Sequence, residues 1–330
     1  MRTYLAKRLL MLGPLLVGVS ILTFLMLRVA PADAAVAQAG LGATPERVEQ
    51  LRAEMGLDRP YFPISFRSSV PFVVFNRDDQ YTDWLFDALR GDLGTSFVYD
   101  APVSEEIADR LPVTVELLLL SSLFTVLFGV PAGVLSALRQ NSPADWLVRS
   151  VGVFGISIPG FWLGILFLLF PAIWWGWAPP AVYEPIWRDP VDNLQMFLLP
   201  AIALAAASAA TVMRLTRSAM LDVMHHDFVR TAQAKGLRRR QVVIGHALKN
   251  ALIPVVTFVG IQTVALISGA VAIELVFNLD GIGSLLFAGV FARDYPLVQG
   301  LVLFIAVVVM GMNLAVDLLY GWLDPRIRYA

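Results

Sequence analysis

Long apolar stretches alternate with polar segments along the whole of this chain. Six runs contain no Asp, Glu, Lys, Arg or His, and each is close to or above the ~20 residues that cross a bilayer as a helix. They cover residues 9–27, 117–138, 151–183, 193–213, 251–273 and 296–316. The pattern predicts an all-α integral membrane protein with six transmembrane helices.

The first two runs are separated by a long polar segment, residues 30–111, which holds 14 of the 26 acidic residues. Within it, Thr44 followed by Pro45 is typical of a helix start. Residues 84–89 predict a second short amphipathic helix, and residues 61–75 are expected to pair as short strands. We therefore predict an N-terminal membrane helix (1–30), a small external module (31–111) and a five-helix core (112–330).

A basic segment, residues 214–250, interrupts the core between the fourth and fifth runs. Its apolar residues fall at helical spacing up to Gly236, where two short helices are expected to meet, and the second helix is expected to run into the fifth span. Two interpretations stay open for this insert: a basic loop resting on anionic headgroups, or a docking site for a partner. A shorter apolar piece, residues 284–291, is too short to span and predicts a re-entrant or interfacial helix.

Composition agrees with a membrane protein and excludes several other classes. The chain is 57% hydrophobic and 15% charged, with a mean hydropathy of +0.68, whereas soluble domains carry about 25% charged residues. It has no cysteine and three histidines, so disulfides, thiolate chemistry and a metal site are not expected, and a net charge of −1 gives no sign of nucleic-acid binding. No lysine stands in the Gly-Lys-Ser/Thr context of a P-loop, so the chain is not itself an ATPase.

The distribution of Lys and Arg predicts the orientation of the spans. With a cytoplasmic N-terminus, the inner segments hold 15 of these residues and the outer segments 10, of which eight lie in the long first loop. Long loops count little in the positive-inside rule, so both termini are expected in the cytoplasm. Ala30-Pro31-Ala32 could pass for a signal-peptide cleavage site, but the 19-residue first run favours a retained helix.

The insert resembles the coupling loop of membrane subunits of ABC importers, in the form found in peptide permeases. That form reads Arg-Thr-Ala-x-Ala-Lys-Gly and then His-Ala-Leu-x-Asn-Ala-Leu-Ile-Pro, and residues 230–236 and 246–254 match it position for position. Further segments resemble the B-type subunit of the dipeptide, oligopeptide and nickel branch, and they occur in that family's order. These are residues 57–60, 91–96, 110–117, 157–164, 293–296, 317–320 and 324–326.

The resemblance implies a type I ABC importer permease that conducts di- or oligopeptides across a bacterial or archaeal cytoplasmic membrane. Its partners would be a C-type permease subunit, two cytoplasmic ATP-binding subunits and an extracytoplasmic solute-binding protein. ATP and Mg would bind to the partner ATPases, leaving this chain without cofactor, metal or catalytic residue. The ATPase-coupling residues would be Asp227, Phe228, Val229, Arg230, Thr231, Ala232, Ala234, Lys235, Gly236 and Leu237.

Polar residues inside predicted spans are costly and frequently functional. Six of them are candidates for a translocation path: Ser208, Thr211, Gln262, Ser268, Asn313 and Asp317. Hydrogen bonding between neighbouring helices is the alternative role for each. A stand-alone secondary transporter is the alternative function, although inverted repeats and a buried ionisable relay, which would indicate one, are not visible in the sequence.

Overall fold

A computed structural model of the chain describes residues 2–29, 34–40, 42–62, 64–66, 73–75 and 78–323, and most of these are helical. Five long helices correspond to five of the predicted spans. They are α1 (Arg2–Val29), α5 (Val103–Leu138), α8 (Pro190–Met224), α11 (Leu248–Phe277) and α13 (Tyr295–Leu323). The Ala30-Pro31-Ala32 sequence and the segment 324–326 lie outside the described residues.

The remaining predicted span, residues 151–183, is a bent pair rather than one helix. Its halves are α6 (Pro143–Ser157) and α7 (Gly160–Trp175), which meet at an angle of 103°. Ile158 has an extended backbone, with ψ at 124°, because the ring of Pro159 disfavours the helical conformation in the residue before it. The predicted count of six spans holds with this pair taken as one.

The segment between the first two spans contains the predicted short elements. They are α2 (Ala34–Ala39), α3 (Pro45–Glu54), the strands β1 (Ile64–Phe66) and β2 (Val73–Phe75), and α4 (Gln80–Leu89). Thr44 caps α3 by accepting a hydrogen bond from the backbone of Arg47. The two strands pair antiparallel, with Ile64 opposite Phe75. The expected capped helix, strand pair and second helix are therefore all present.

Contacts within the chain divide it into two units. The first contains the residues up to Leu111 together with Ser284–Gly311, and the second contains Pro112–Gly283 with Met312–Arg328. The apolar piece after the fifth span forms α12 (Ile282–Ala292), as its sequence predicts.

The core of the second unit surrounds α8. Leu117, Phe197, Leu204 and Ile273 belong to one buried cluster contributed by α5, α8 and α11. α8 contacts α6, α7 and α11 along its length. A Cβ added at Gly133 of α5 would lie 2.6 Å from Thr216 Cβ, so this glycine permits the two helix backbones to pack closely.

In the first unit, an aromatic cluster joins α1 to the polar segment that follows it. The Phe24 ring centroid lies 5.3 Å from that of Tyr81 and 5.4 Å from that of Phe62. The Tyr81 hydroxyl forms a buried hydrogen bond of 2.9 Å with Ser20 Oγ. The segment that contains Phe62 and Tyr81 is therefore packed on the first helix.

Candidate functional site: a helical insert and buried polar locks

The basic insert folds as a short helix, α9 (Asp227–Ala234), immediately after α8. Gly236 ends it with a φ of +76°, a conformation that only glycine adopts readily. The Leu237 and Gly236 amides donate to the Ala232 and Gln233 carbonyls, respectively, at 3.4 and 2.9 Å. This pair of bonds is a Schellman motif, and it produces the sharp turn predicted at Gly236.

One face of α9 is fixed to the protein's own scaffold. Val229 is fully buried and Ala232 is 6% exposed. Both pack with Val242, against Val223 and Met224 at the end of α8. These two residues of the predicted coupling set therefore point inward, where they hold the helix in position.

The other members of the predicted coupling set lie on the surface. Phe228 and Leu237 are 42% and 37% exposed, so the apolar residues of the insert do not share one buried face. The exposed residues of the set are Asp227, Phe228, Arg230, Thr231, Ala234, Lys235, Gly236 and Leu237. They present a mixed-charge surface with an aromatic side chain on it.

The insert continues into the fifth span without a loop. After Gly236 come α10 (Arg239–Gln241), a π-helical segment at Val242–Ala247 and then α11. π-Helical turns are rare and are frequent at functional sites. Because Val242 belongs to the cluster that holds α9, the insert and α11 are mechanically joined.

Asp145, at the start of α6, forms a buried ionic lock with Arg217 of α8, which lies near the start of the insert. Its carboxylate accepts hydrogen bonds from Arg217 Nε and Nη2, both at 3.0 Å, and from the Asn141 amide at 3.0 Å. Ser136 Oγ donates to it as well. The lock joins the end of α5 and the start of α6 to α8. Sequence reasoning missed it, because Asp145 and Arg217 are 72 residues apart.

The predicted translocation-path residues have different surroundings. Gln262 Nε2 donates to Ser208 Oγ at 2.9 Å, which links α11 to α8. Thr211 bonds to the Ala207 carbonyl of its own helix at 3.0 Å. Ser268 is exposed on α11, whereas Asn313 and Asp317 are half-buried on α13. Gln262 and Ser208 therefore form a hydrogen bond between helices, which was the alternative role for these residues. A role in the translocation path stays a prediction for all six.

A second buried lock closes the far end of α11. Glu274 is fully buried, and Thr114 Oγ1 of α5 donates to its Oε1 at 2.7 Å. Thr114 also accepts from the Ile282 amide at 2.8 Å. A Cβ at Gly281 would lie 2.6 Å from Glu274 Oε2, so this turn has no room for a larger residue. The two glycines at positions 281 and 283 are the feature of the sequence that indicates a tightly packed turn here.

A third buried lock lies in the first unit and connects two of the segments that resemble family motifs. Ser96 Oγ donates to Asp294 Oδ2 at 2.6 Å, and the Val98 amide donates to the same oxygen at 3.1 Å. The other carboxylate oxygen accepts from the Leu297 amide at the start of α13. Residues 91–96 and 293–296 are therefore parts of one contact.

A largely helical chain, with several apolar helices long enough to cross a membrane and a structured helical insert, has the architecture of a membrane transport subunit. Two family models match the chain: the binding-protein-dependent transport system inner membrane component over residues 129–329 and its N-terminal counterpart over residues 1–118. The chain belongs to this family, the membrane subunits of ABC importers, and to its B-type peptide-permease branch.

Relatives of full length support the assignment. A putative peptide transport system permease of Brucella abortus is 41% identical over all of both chains. The dipeptide transport system permease DppB of Escherichia coli K12 is 35% identical over 100% of this chain and 99% of its own. DppB of Alkalihalophilus pseudofirmus is 37% identical over all of both chains.

Among solved structures, the chain is similar to a chain of the inward-facing MetNI methionine ABC transporter. The TM-score is 0.54 at 17% identity, over 66% of this chain and 96% of that one. At this identity the likeness shows the fold alone. It agrees with the predicted importer architecture.

Proposed function

We propose that this chain forms one membrane half of an ATP-driven importer of di- and oligopeptides. Full-length relatives named as dipeptide and peptide permeases support the substrate class. The family supports a passive conducting role, with ATP and Mg bound by two partner ATPases. A C-type permease subunit would supply the other half of the path, and a solute-binding protein would deliver the peptide from outside.

The observation that carries the proposal is the construction of α9. Its inner residues, Val229 and Ala232, are fixed on the end of α8 and on Val242 of the π-helical segment that leads into α11, while its outer face is exposed. A helix mounted in this way transmits a push or pull to both spans, since only the short turns at residues 225–226 and 235–238 separate it from the helices on either side. The exposed face is the docking surface for an ATPase subunit, and closure of the ATPase dimer would rock the attached helices.

The charge pattern supports an orientation with both termini and α9 in the cytoplasm. The segment 31–111 would then face the binding protein on the outer side. Asn313 and Asp317 lie four residues apart on α13 and share a face of that helix. With Ser208, Thr211, Gln262 and Ser268 they are our candidates for the polar wall of the path.

Cross-linking tests the docking surface directly, because the native chain contains no cysteine. Arg230→Cys on α9 should cross-link to a P-loop ATPase subunit of the native membrane complex. Leu89→Cys, on a residue that is 75% exposed at the end of α4, is the matched control and should not. Peptide uptake without any cross-link from Arg230→Cys would contradict the coupling role.

A second readout separates the importer from a stand-alone transporter. Peptide uptake should require the binding protein and ATP hydrolysis. Purification of the tagged complex in mild detergent should recover a P-loop ATPase and a second multi-pass chain. A lone chain that takes up peptide without ATP would be a secondary transporter.

A further inference from the structure

A partly open cavity of about 200 Å³ lies in the first unit, beside the end of α1, α4 and the first turns of α13. Its lining includes Arg28, Trp84 and Gln299, with Asp83 and Asp87 on the same face of α4. A water molecule takes up about 30 Å³ of liquid, so the cavity has the size of a free amino acid or a small dipeptide.

Two buried N–H donors that line this cavity have no acceptor among the residues that the structure describes. They are Gln299 Nε2, on a residue only 3% exposed, and the Trp84 indole Nε1. A buried donor without an acceptor loses the hydrogen bonds it made to water in the unfolded chain, and such groups are uncommon in native proteins. Both donors are therefore available to an acceptor that a ligand would supply.

Arg28 adds a positive charge to the same cavity. Its guanidinium Cζ lies 3.4 Å from the centroid of the Phe24 ring, and its Nε donates to Gln80 Oε1 at 2.9 Å. No carboxylate among the described residues forms an ion pair with it. A half-buried cation without a counter-charge is costly, so an anionic acceptor fits better here than a neutral one.

The acidic residues of the lining are already paired. Asp83 Oδ2 lies 2.9 Å from Arg59 Nη1, and Asp87 Oδ1 lies 3.7 Å from Arg90 Nη1. Arg59 itself also lines the cavity, so these carboxylates are offset by arginines and the charge of Arg28 stays uncompensated within the lining. A ligand with a free carboxylate matches this excess of positive charge and N–H donors.

We propose that this cavity binds a small carboxylate ligand of the size of an amino acid or dipeptide, with the carboxylate held by Arg28, Gln299 and Trp84. Charge-assisted hydrogen bonds to a carboxylate are roughly twice as strong as neutral ones. The inference goes beyond the proposed function, which requires no ligand in this part of the chain.

Calorimetry on the complete complex in lipid nanodiscs, without binding protein or nucleotide, tests the site. L-Alanyl-L-alanine should bind at least tenfold more tightly than its C-terminal amide. Gln299→Met, which keeps the length of the side chain but removes the donor, should weaken binding of the free acid by about tenfold. Gln50→Met, on the exposed face of α3, should bind like the wild type.

A second variant tests the site independently, in case Gln299→Met does not fold. Trp84→Phe keeps the ring next to Tyr81, whose centroid lies 6.4 Å away, but removes the N–H, and it should also weaken binding of the acid. Equal binding of acid and amide, or wild-type affinity in both variants, would overturn the proposal. A third result would also overturn it: a wild-type complex that binds no dipeptide but binds the empty binding protein more tightly than the Gln299→Met complex does. In that case the carboxylate that reaches the cavity would belong to the binding protein.

The two proposals fail separately. Loss of dipeptide binding with intact ATP-driven uptake overturns the site and leaves the importer function standing. Dipeptide binding at this cavity, in a complex that never hydrolyses ATP in response to peptide, overturns the importer function and leaves the site standing.

Discussion

Asp145 is a fully buried charge at the start of a membrane-associated helix, and its neighbours explain how that is tolerated. The bidentate pair with Arg217 neutralises it, and Ser136 and the Asn141 amide occupy its remaining acceptor sites. Removal of one partner from such a pair lowers the free energy of unfolding by more than the pair itself contributes, because the other charge stays buried without a partner.

We therefore expect Asp145→Asn to destabilise the protein by about 3 kcal/mol and to lower its melting temperature in detergent. The matched control is Asp227→Asn, which breaks the exposed 3.8 Å pair with Arg230 and should leave the melting temperature unchanged, because exposed pairs contribute little. Equal melting temperatures for the two variants would show that the buried pair does not stabilise the fold.

A second prediction concerns the contact between Gly281 and the Glu274 carboxylate. Gly281→Ala should destabilise the protein by about 1–3 kcal/mol, the usual cost of overpacking, because the new Cβ would meet the Glu274 carboxylate. Glu274→Ala removes that carboxylate and should relieve the clash. In a double-mutant cycle followed by thermal unfolding, the combined variant should be less destabilised than the sum of the two. Simple additivity would contradict the contact.

At the scale of elements, the turn between α9 and α10 depends on Gly236. Proline fixes φ near −65°, whereas this position needs +76°. Gly236→Pro should abolish peptide uptake while membrane insertion, measured as the amount of protein in the membrane fraction, stays normal. Gly245→Ala, where a Cβ would meet nothing within 4 Å, is the control and should transport normally. Wild-type uptake by Gly236→Pro would contradict the assignment of α9 as a coupling helix.

The elements themselves were largely predictable from the sequence. Charge-free runs gave the spans, Thr44 and Pro45 gave the start of α3, and Gly236 gave the turn in the insert, since each signal is local. The sharp bend at Ile158 and Pro159 was not predicted, although the motif containing it was recognised, because an apolar run does not reveal the angle at its middle.

The candidate site was predictable only in part, for a related reason. Ser96 and Asp294 are 198 residues apart, and Thr114 and Glu274 are 160 apart. Periodicity and local motifs contain no information about which distant residues meet. The sequence marked most of these residues as unusual polar groups or motif members, and the folded structure was needed to pair them.

At the scale of the whole molecule, orientation is the property on which the functional proposal depends. The charge pattern predicts that α9 is cytoplasmic and that the segment 31–111 lies outside. In intact cells, a membrane-impermeant maleimide should label Leu89→Cys, and it should label Arg230→Cys only after permeabilisation. The wild type, which has no cysteine, reports the background. Labelling of Arg230→Cys in intact cells would place α9 on the side opposite the ATPases, and a helix there could not couple ATP hydrolysis to transport.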